Sequence, residues 1–273
     1  ETQAPRETTE GTGSYTSGIS RTATPLGLGL RDTPQSVSVV TQQRIEDQAL
    51  QTITDVMNQT AGVFVHQYET HRGQFTARGF NINTLLIDGV PTSWEQPWSS
   101  GEITTSLSIY DRVEVVRGAT GLTTGTGDPS AAVNMVRKRA DSKEFKGSLE
   151  LELGTRSKHN ATFDLSTPVN EVKTLRVRVV GEDSASDSWV RNLSDKSQTL
   201  FATFEADLGP RTLLSGDAVL TARGRAWHTP EVVDAASAAA TSRRLEELPV
   251  AHLLPGHGRP VHAGDTVWSR QRR

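Results

Sequence analysis

The stretch "RVEVVRGATGLTTGTGDPSAAVNMVRKR", residues 112–139, sets four glycines and one proline between two valine-rich flanks. A phosphate cradle would need glycines beside a helix N-terminus, and in a P-loop a lysine next to Ser or Thr, so that backbone N–H groups and a cation meet the oxyanions. Gly118, Gly121, Gly125 and Gly127 fit neither that spacing nor Gly-x-Gly-x-x-Gly, and Lys138 falls behind the second flank. The spacing argues against a nucleotide site. Instead, the glycines permit left-handed backbone angles between two strands, "VEVVRG" and "AAVNMVRK", with Pro129 forcing one bend. Loops longer than ~12 residues without structure of their own are commonly functional, so the segment asks for a role.

Outward from this stretch, the 273 residues suffice for one large domain or two ordinary ones. A hydrophobic fraction of 34% and a mean hydropathy of -0.45 permit a core with generous loops. The 29 basic residues against 32 acidic ones leave a net charge of -3, which writes no overall pull toward nucleic acid or anionic lipid. Without cysteine there is no disulfide framework, no thiolate nucleophile and no cysteine zinc knuckle. The sequence starts at Glu1 without a basic and apolar leader, and it holds no run approaching ~18 apolar residues. That excludes a helical membrane protein and leaves a β-barrel open, because barrel strands carry only a weak alternating signal.

Residues 1–17 are short and polar, and the expectation is a flexible N-terminal arm. "SVSVV" at 36–40 reads as a strand. Thr41 caps a short helix over "QQRIEDQAL", and Thr52 with Asp55 forms a capping box for "ITDVMNQ", which stops near Gly62. Leu50, Ile53, Val56 and Met57 make one apolar face for the core. Short strands follow around "VFVHQ", "FTARGF" and "TLLIDGVP". Residues 145–208 alternate polar and apolar over about ten residues at a time, the period of antiparallel strands with one wet face. From residue 209 the texture changes to "LLSGDAVL" and an alanine-rich segment read as a helix, with Thr229 as N-cap and Pro230 in the first turn.

Three separated stretches, "TPQSVSVVTQQRIEDQ", "TARGFNINTLLIDGVP" and the quoted glycine-rich segment, resemble in order and spacing the plug domain of TonB-dependent outer-membrane receptors for ferric siderophores. Within that family the sequence is most similar to receptors for ferric coprogen and ferric rhodotorulic acid, with ferripyoverdine receptors as second neighbours. "SKEFKGSLELELGT" and "FATFEADLG" resemble the first barrel strands. The resemblance implies a fold in two parts, an α+β plug at 18–140 and the first antiparallel strands of an incomplete transmembrane β-barrel at 141–208. At ~10 residues per strand, residues 141–208 supply about four strands, too few to close a barrel.

What the resemblance implies for function is transport, with no enzyme activity and no cofactor. A ferric hydroxamate siderophore is the ligand, the periplasmic domain of TonB the partner and the outer membrane the location. The plug's outward loops then offer Gln67, Tyr68, Arg72, Trp94, Gln96 and Trp98 to the ligand, aromatic rings for contact and polar groups for hydrogen bonds. Packing of Trp94 and Trp98 against a barrel wall is an equal alternative. Arg78, Glu114 and Arg117 are expected to form ion pairs between plug and barrel. No residues in the arm match the family's TonB box. His66 and His71 lack helical metal spacing.

The tail resembles something else. "RTLLSGDAVL" and "RRLEELPVAHLLPGHGRPV" look like the last two metal motifs of the αββα metallo-β-lactamase fold, which implies zinc-ligand positions at Asp217 and His257. A hydrolytic zinc needs at least three protein ligands, and no His-x-His occurs in the chain, so these positions are expected to be vestigial. The expectation is a truncated or chimeric chain, with residues 209–273 as a metallo-β-lactamase-like fragment. Two other functions stay open: a zinc-dependent hydrolase fragment, and a soluble plug-type module that binds TonB.

Overall fold

The computed structural model describes residues 8–24, 27–68, 72–92, 94, 106–118, 129–209 and 212–223. They fall into two compact units, the first running to Lys138 and including Ser188–Leu193, the second made of Arg139–Asp187 and the residues from Ser194 on.

In the first unit the strands are β1 (Ile19–Ser20), β2 (Leu28–Gly29), β3 (Ser36–Val40), β4 (Val63–Gln67), β5 (Gly73–Ala77), β6 (Phe80–Asn81), β7 (Thr84–Ile87), β8 (Val90–Thr92), β9 (Tyr110–Arg117) and β10 (Ala131–Arg137). Helices α1 (Gln42–Asp47) and α2 (Ile53–Asn58) follow β3. The main sheet has the order β3-β9-β10-β7-β8, with β10 parallel to β7 and every other pair antiparallel. The two flanks of the glycine-rich stretch are therefore adjacent inner strands, Val115 opposite Val133 and Glu114 opposite Asn134. Val113, Val115, Val116, Val133 and Met135 are all buried, so both faces of these strands are covered and the sequence reads as an apolar run.

Both helix starts obey local rules. The Thr41 hydroxyl accepts from the Arg44 N–H, and Thr52 with Asp55 forms a reciprocal capping box. Helix α1 ends sooner than its sequence suggests, because Ala49 turns left-handed at φ 48°. The Leu50 N–H donates to Ile45 O at 2.9 Å and the Ala49 N–H to Glu46 O at 3.0 Å, the paired bonds of a Schellman ending. An exposed alanine holds a position that glycine fills without steric cost. Ala49→Gly is expected to stabilise the unit by about 1 kcal/mol, read as a higher urea midpoint at unchanged slope.

The second unit is an antiparallel meander of β11 (Lys146–Leu153), β12 (His159–Pro168), β13 (Leu175–Asp187), β14 (Ser194–Gly209) and β15 (Thr212–Arg223), each strand paired with the next. Its two faces are inverted relative to a soluble sheet. Leu149, Leu151 and Leu153 are 71%, 74% and 86% exposed, with Phe163 and Leu165 also open. The opposite face carries buried Arg176, Arg178 and Glu205 in ion pairs, Arg178 with Asp164 at 2.6 Å and Arg176 with Asp207 at 2.6 Å. Apolar outside and charged inside is the pattern of a strand whose outer solvent is hydrocarbon.

Aromatic rings cover glycines on the neighbouring strand. A Cβ on Gly181 would lie 2.2 Å from the Phe163 ring, and one on Gly216 would lie 2.6 Å from Phe204. These pairs let a ring lie flat across the sheet where any side chain would push it off. Gly181→Ala is expected to cost about 1–3 kcal/mol in thermal unfolding, and Phe163→Leu in the same chain to relieve part of that loss.

Strand β15 corrects the boundary expected at residue 209. It pairs with β14 over twelve positions, with Asp217 opposite Thr203, so residues 212–223 continue the sheet. Asp217 sits inside a paired strand instead of following one, which removes the placement a zinc ligand was expected to have. His257 and the alanine-rich segment lie outside the described residues. Of the arm expected at residues 1–17, residues 8–17 are tied to the first unit by hydrogen bonds from Thr9 and Glu10 to Asp111 and from Tyr15 to Asp47, and residues 1–7 lie outside the described residues.

Candidate functional site

The small sheet β4-β5-β6 shows an aromatic stripe on one side. Phe64, His66 and Tyr68 recur at every second residue of an extended chain, so their side chains share a face. Phe64 is 65% and Tyr68 46% exposed. The His66 and Tyr68 rings lie 4.8 Å apart, tilted by 47°. Opposite them stand Thr76 and Gln74, and the Tyr68 hydroxyl donates to Gln74 Oε1 at 3.1 Å. The Tyr68 N–H donates to Arg72 O at 2.9 Å and closes the base of the β4–β5 turn, which places exposed Arg72 beside the stripe.

The expected ligand residues do not all gather there. Tyr68 and Arg72 come together, whereas strand alternation puts Gln67 on the other side of β4 with Val63 and Val65. Trp94, expected either at the ligand or packed, is 3% exposed and meets Phe75 edge-on at 5.4 Å. It packs inside its own unit. Gln96 and Trp98 lie outside the described residues. Phe64 and His66 share the stripe with Tyr68 but were not among the expected ligand residues, His66 having been weighed only for metal spacing, although the alternation of "VFVHQY" contains both.

Arg78, Glu114 and Arg117 do not pair with one another. Glu114 is fully buried and meets Arg112, whose Nε donates to Oε1 at 2.6 Å. The Thr22 hydroxyl donates to Glu114 Oε2 at 2.7 Å, and the Ser20 hydroxyl donates to the same oxygen. Arg112 also reaches Asp111 at 2.7 Å. Burial alone would lower the Arg112 pKa, but Glu114 and Asp111 more than offset it and leave it above the ordinary arginine value. Arg117 donates to Ser36 Oγ, Ser38 Oγ and Ala61 O. Arg78, at φ 55°, lays its guanidinium over Gly118, where a Cβ would lie 2.8 Å from Nη1. The polar groups thus knit the first unit internally.

The site is a surface for contact, made of flat rings with an imidazole, an amide and a guanidinium around them. Among the described residues no group of His, Asp and Glu is placed to hold a metal ion.

Comparison with known proteins gives this fold its class. Residues 29–132 match the family model of the TonB-dependent Receptor Plug Domain, and the antiparallel strands that follow match the barrel strands of solved TonB-dependent receptors. Among curated proteins the chain is 41% identical over 208 residues to the ferripyoverdine receptor of Pseudomonas aeruginosa, covering 76% of this chain and 25% of that protein. The crystal structure of the outer-membrane ferripyoverdine receptor of P. aeruginosa bound to ferripyoverdine superposes with a TM-score of 0.77 at 39% identity, covering 81% of this chain and 29% of the other. The alcaligin outer-membrane receptor of Bordetella pertussis gives 0.74 at 38% identity, covering 81% and 37%. The chain spans about a quarter of the length of the curated pyoverdine receptors it matches. These relatives are receptors and not enzymes, and the ligands in their names are pyoverdine and alcaligin, not coprogen.

Proposed function

We propose that the chain supplies the plug and first barrel strands of a TonB-dependent outer-membrane receptor for a ferric siderophore, with the Phe64–His66–Tyr68 stripe turned to the ligand. The observation that carries this reading is the stripe itself, three exposed rings on one face of a single extended run, whereas Phe75 and Trp94 are buried and the other exposed rings of the unit, such as Tyr15 and Phe80, stand singly. Aromatic surface left in water is costly unless a partner covers it. Tyr68 and Arg72 supply contacts suited to a polar chelate, and a ferric hydroxamate is the proposed class. The inverted faces of β11–β14 support the outer membrane as location, and the periplasmic domain of TonB is the proposed partner of the complete receptor. No catalytic step is proposed.

Tryptophan-fluorescence titration of the chain tests the function, with ferripyoverdine, ferric coprogen, their iron-free forms and ferric citrate as ligands. Saturable quenching by one ferric siderophore, at least about tenfold tighter than by its iron-free form, is expected. Phe64→Ala with Tyr68→Ala is expected to weaken it by about 1–3 kcal/mol, or roughly 5–150-fold. Equal quenching by ferric citrate would count against the proposal.

A further inference from the structure

Asp88–Gly89 is the one Asp-Gly pair in the sequence, which has no Asn-Gly. It makes the two-residue turn between β7 and β8, with Ile87 opposite Val90 and both turn residues left-handed, Asp88 at φ 50° and Gly89 at φ 80°. A hairpin turn of that hand selects Asp-Gly, because glycine and the short aspartate accept positive φ. The same dipeptide is chemically labile, since a residue without Cβ leaves its nitrogen open to the preceding Asp side chain. Here the fold occupies both reacting groups. The Asp88 carboxylate accepts from the Arg137 N–H at 2.8 Å on one oxygen and from Arg137 Nε at 2.6 Å on the other. Arg137 Nη2 stands 2.5 Å from that second oxygen. The Gly89 N–H donates to Asn134 Oδ1 at 2.9 Å, and Asn134 Nδ2 donates to Thr22 Oγ1 at 2.6 Å, which fixes the end of that amide that faces the turn. Arg137 and Asn134 are 7% and 5% exposed, while Asp88 and Gly89 are open to water.

We propose that Asp88–Gly89 is a covalent modification site, a latent isoaspartate site whose rate is set by Arg137 and Asn134. In the reaction the Gly89 nitrogen bonds to Asp88 Cγ, the amide hydrogen leaves with a carboxyl OH as water, and a succinimide ring results. Water then opens the ring. Attack at Cγ restores aspartate, and attack at the former main-chain carbonyl gives isoaspartate, with the chain now running through an extra methylene. Nothing is oxidised or reduced, and water is the only co-reactant. To start, Cγ must swing over the Gly89 nitrogen, which pulls both carboxylate oxygens off Arg137, and the nitrogen must give up the hydrogen that Asn134 accepts. Each lost bond adds to the barrier, and those to the guanidinium are of the stronger, charge-assisted kind. Ring opening meets no such obstacle: the turn is exposed, and a Cβ on Gly89 would meet nothing within 4 Å. The product no longer fits the turn. An added methylene moves the carboxylate away from Arg137 and breaks the pairing of Ile87 with Val90, so a buried guanidinium loses this acceptor.

Incubation of the full chain at mildly alkaline pH, folded and in urea, tests this. The tryptic peptide 79–112 is read by mass for succinimide, by an isoaspartate methyltransferase for isoaspartate and by electron-transfer fragmentation for its position. In urea, isoaspartate at residue 88 is expected to accumulate at least about tenfold faster than in the folded chain. Arg137→Gln, with the β10 amides still protected from hydrogen exchange, is expected to raise the folded rate about three- to thirtyfold. Thr22→Val frees the Asn134 amide to turn and leaves Arg137 in place, so a smaller rise is expected; an unchanged rate there would remove Asn134 from the proposal. Folded and unfolded chains that react at one rate would overturn the control by Arg137 and Asn134, and no isoaspartate in either would overturn the site. An Arg137→Gln chain that keeps its fold and reacts no faster than the unchanged chain would overturn the role of Arg137. Should Arg137→Gln fail to fold, Arg137→Lys keeps the buried charge without the Nε–H; it must then react faster, and an unchanged rate again overturns the proposal.

Discussion

Glu114→Ala is expected to destabilise the first unit by about 3–5 kcal/mol, read from urea unfolding of the full chain. Glu114 is fully buried on an inner strand, where a charge survives only if every oxygen is used. Its removal leaves the Arg112 guanidinium, itself 8% exposed, with Asp111 as its remaining carboxylate. It also strips the acceptor from the Ser20 and Thr22 hydroxyls. Glu114→Gln keeps an acceptor for those hydroxyls but loses the charge, so a smaller loss of about 1–3 kcal/mol is expected. Pairing Arg112→Met with Glu114→Leu is expected to recover only a small part of the alanine loss: no guanidinium is stranded, but buried Asp111 loses its cation and the Ser20 and Thr22 hydroxyls still lack their acceptor. A loss below about 1 kcal/mol for Glu114→Ala would show that water replaces the carboxylate and that the pair contributes little.

Phe75→Ala is the second large effect, expected at about 3–5 kcal/mol. Phe75 is fully buried on β5 and meets Trp94 edge-on at 5.4 Å. The substitution opens a cavity on the underside of the sheet that bears the aromatic stripe, and it removes an aromatic pair worth about 0.5–1.5 kcal/mol beyond its area. The readout has two parts: the unfolding midpoint falls, and the Trp94 emission, isolated by difference against Trp94→Phe, shifts to the red as the ring meets water. An unshifted emission would contradict the packing of Trp94 against Phe75. Trp94→Phe alone keeps an edge-on ring and is expected to cost far less.

These two sites show how far the sequence could be read. The sheet was legible because its signals are local. Thr52 and Asp55 are three residues apart, and the valine-rich flanks of the glycine stretch announce two strands. The pairing of Glu114 was within reach as well, since Arg112 lies two residues away on the same side of β9, where period-two alternation puts it. By contrast, the hold of Asp111 on Thr9 joins residues 102 apart, through backbone donors that carry no side-chain signature. A run of small polar residues looks the same whether it is free or latched. The partner of Trp94 was hidden for a similar reason: the sequence left ligand contact and packing open, and only the fold of β5 brings Phe75 beside the ring. The tail misled because "LLSGDAVL" interrupts alternation with Gly216, and that glycine is the residue on which the Phe204 ring lies.

The candidate site was half legible. Tyr68 and Arg72 are neighbours at one turn, but Gln67 shares the sequence neighbourhood and not the face. Phe64 went unread because a single aromatic in a strand usually belongs to a core, and His66 was weighed only for metal spacing. Only the exposure of the whole stripe separates it from core packing.

The central claim is that this stripe faces the ferric ligand, and paramagnetic relaxation tests it most directly. High-spin ferric iron broadens proton resonances near it, whereas the same siderophore loaded with diamagnetic gallium does not. With ferripyoverdine or ferric coprogen bound to the full chain in detergent, the account predicts selective broadening of the Phe64, His66 and Tyr68 ring protons relative to the gallium complex. Val113 and Val133, in the buried sheet, keep their line widths in both. Saturable binding that leaves the three ring signals as sharp with iron as with gallium would contradict it and place the ligand elsewhere.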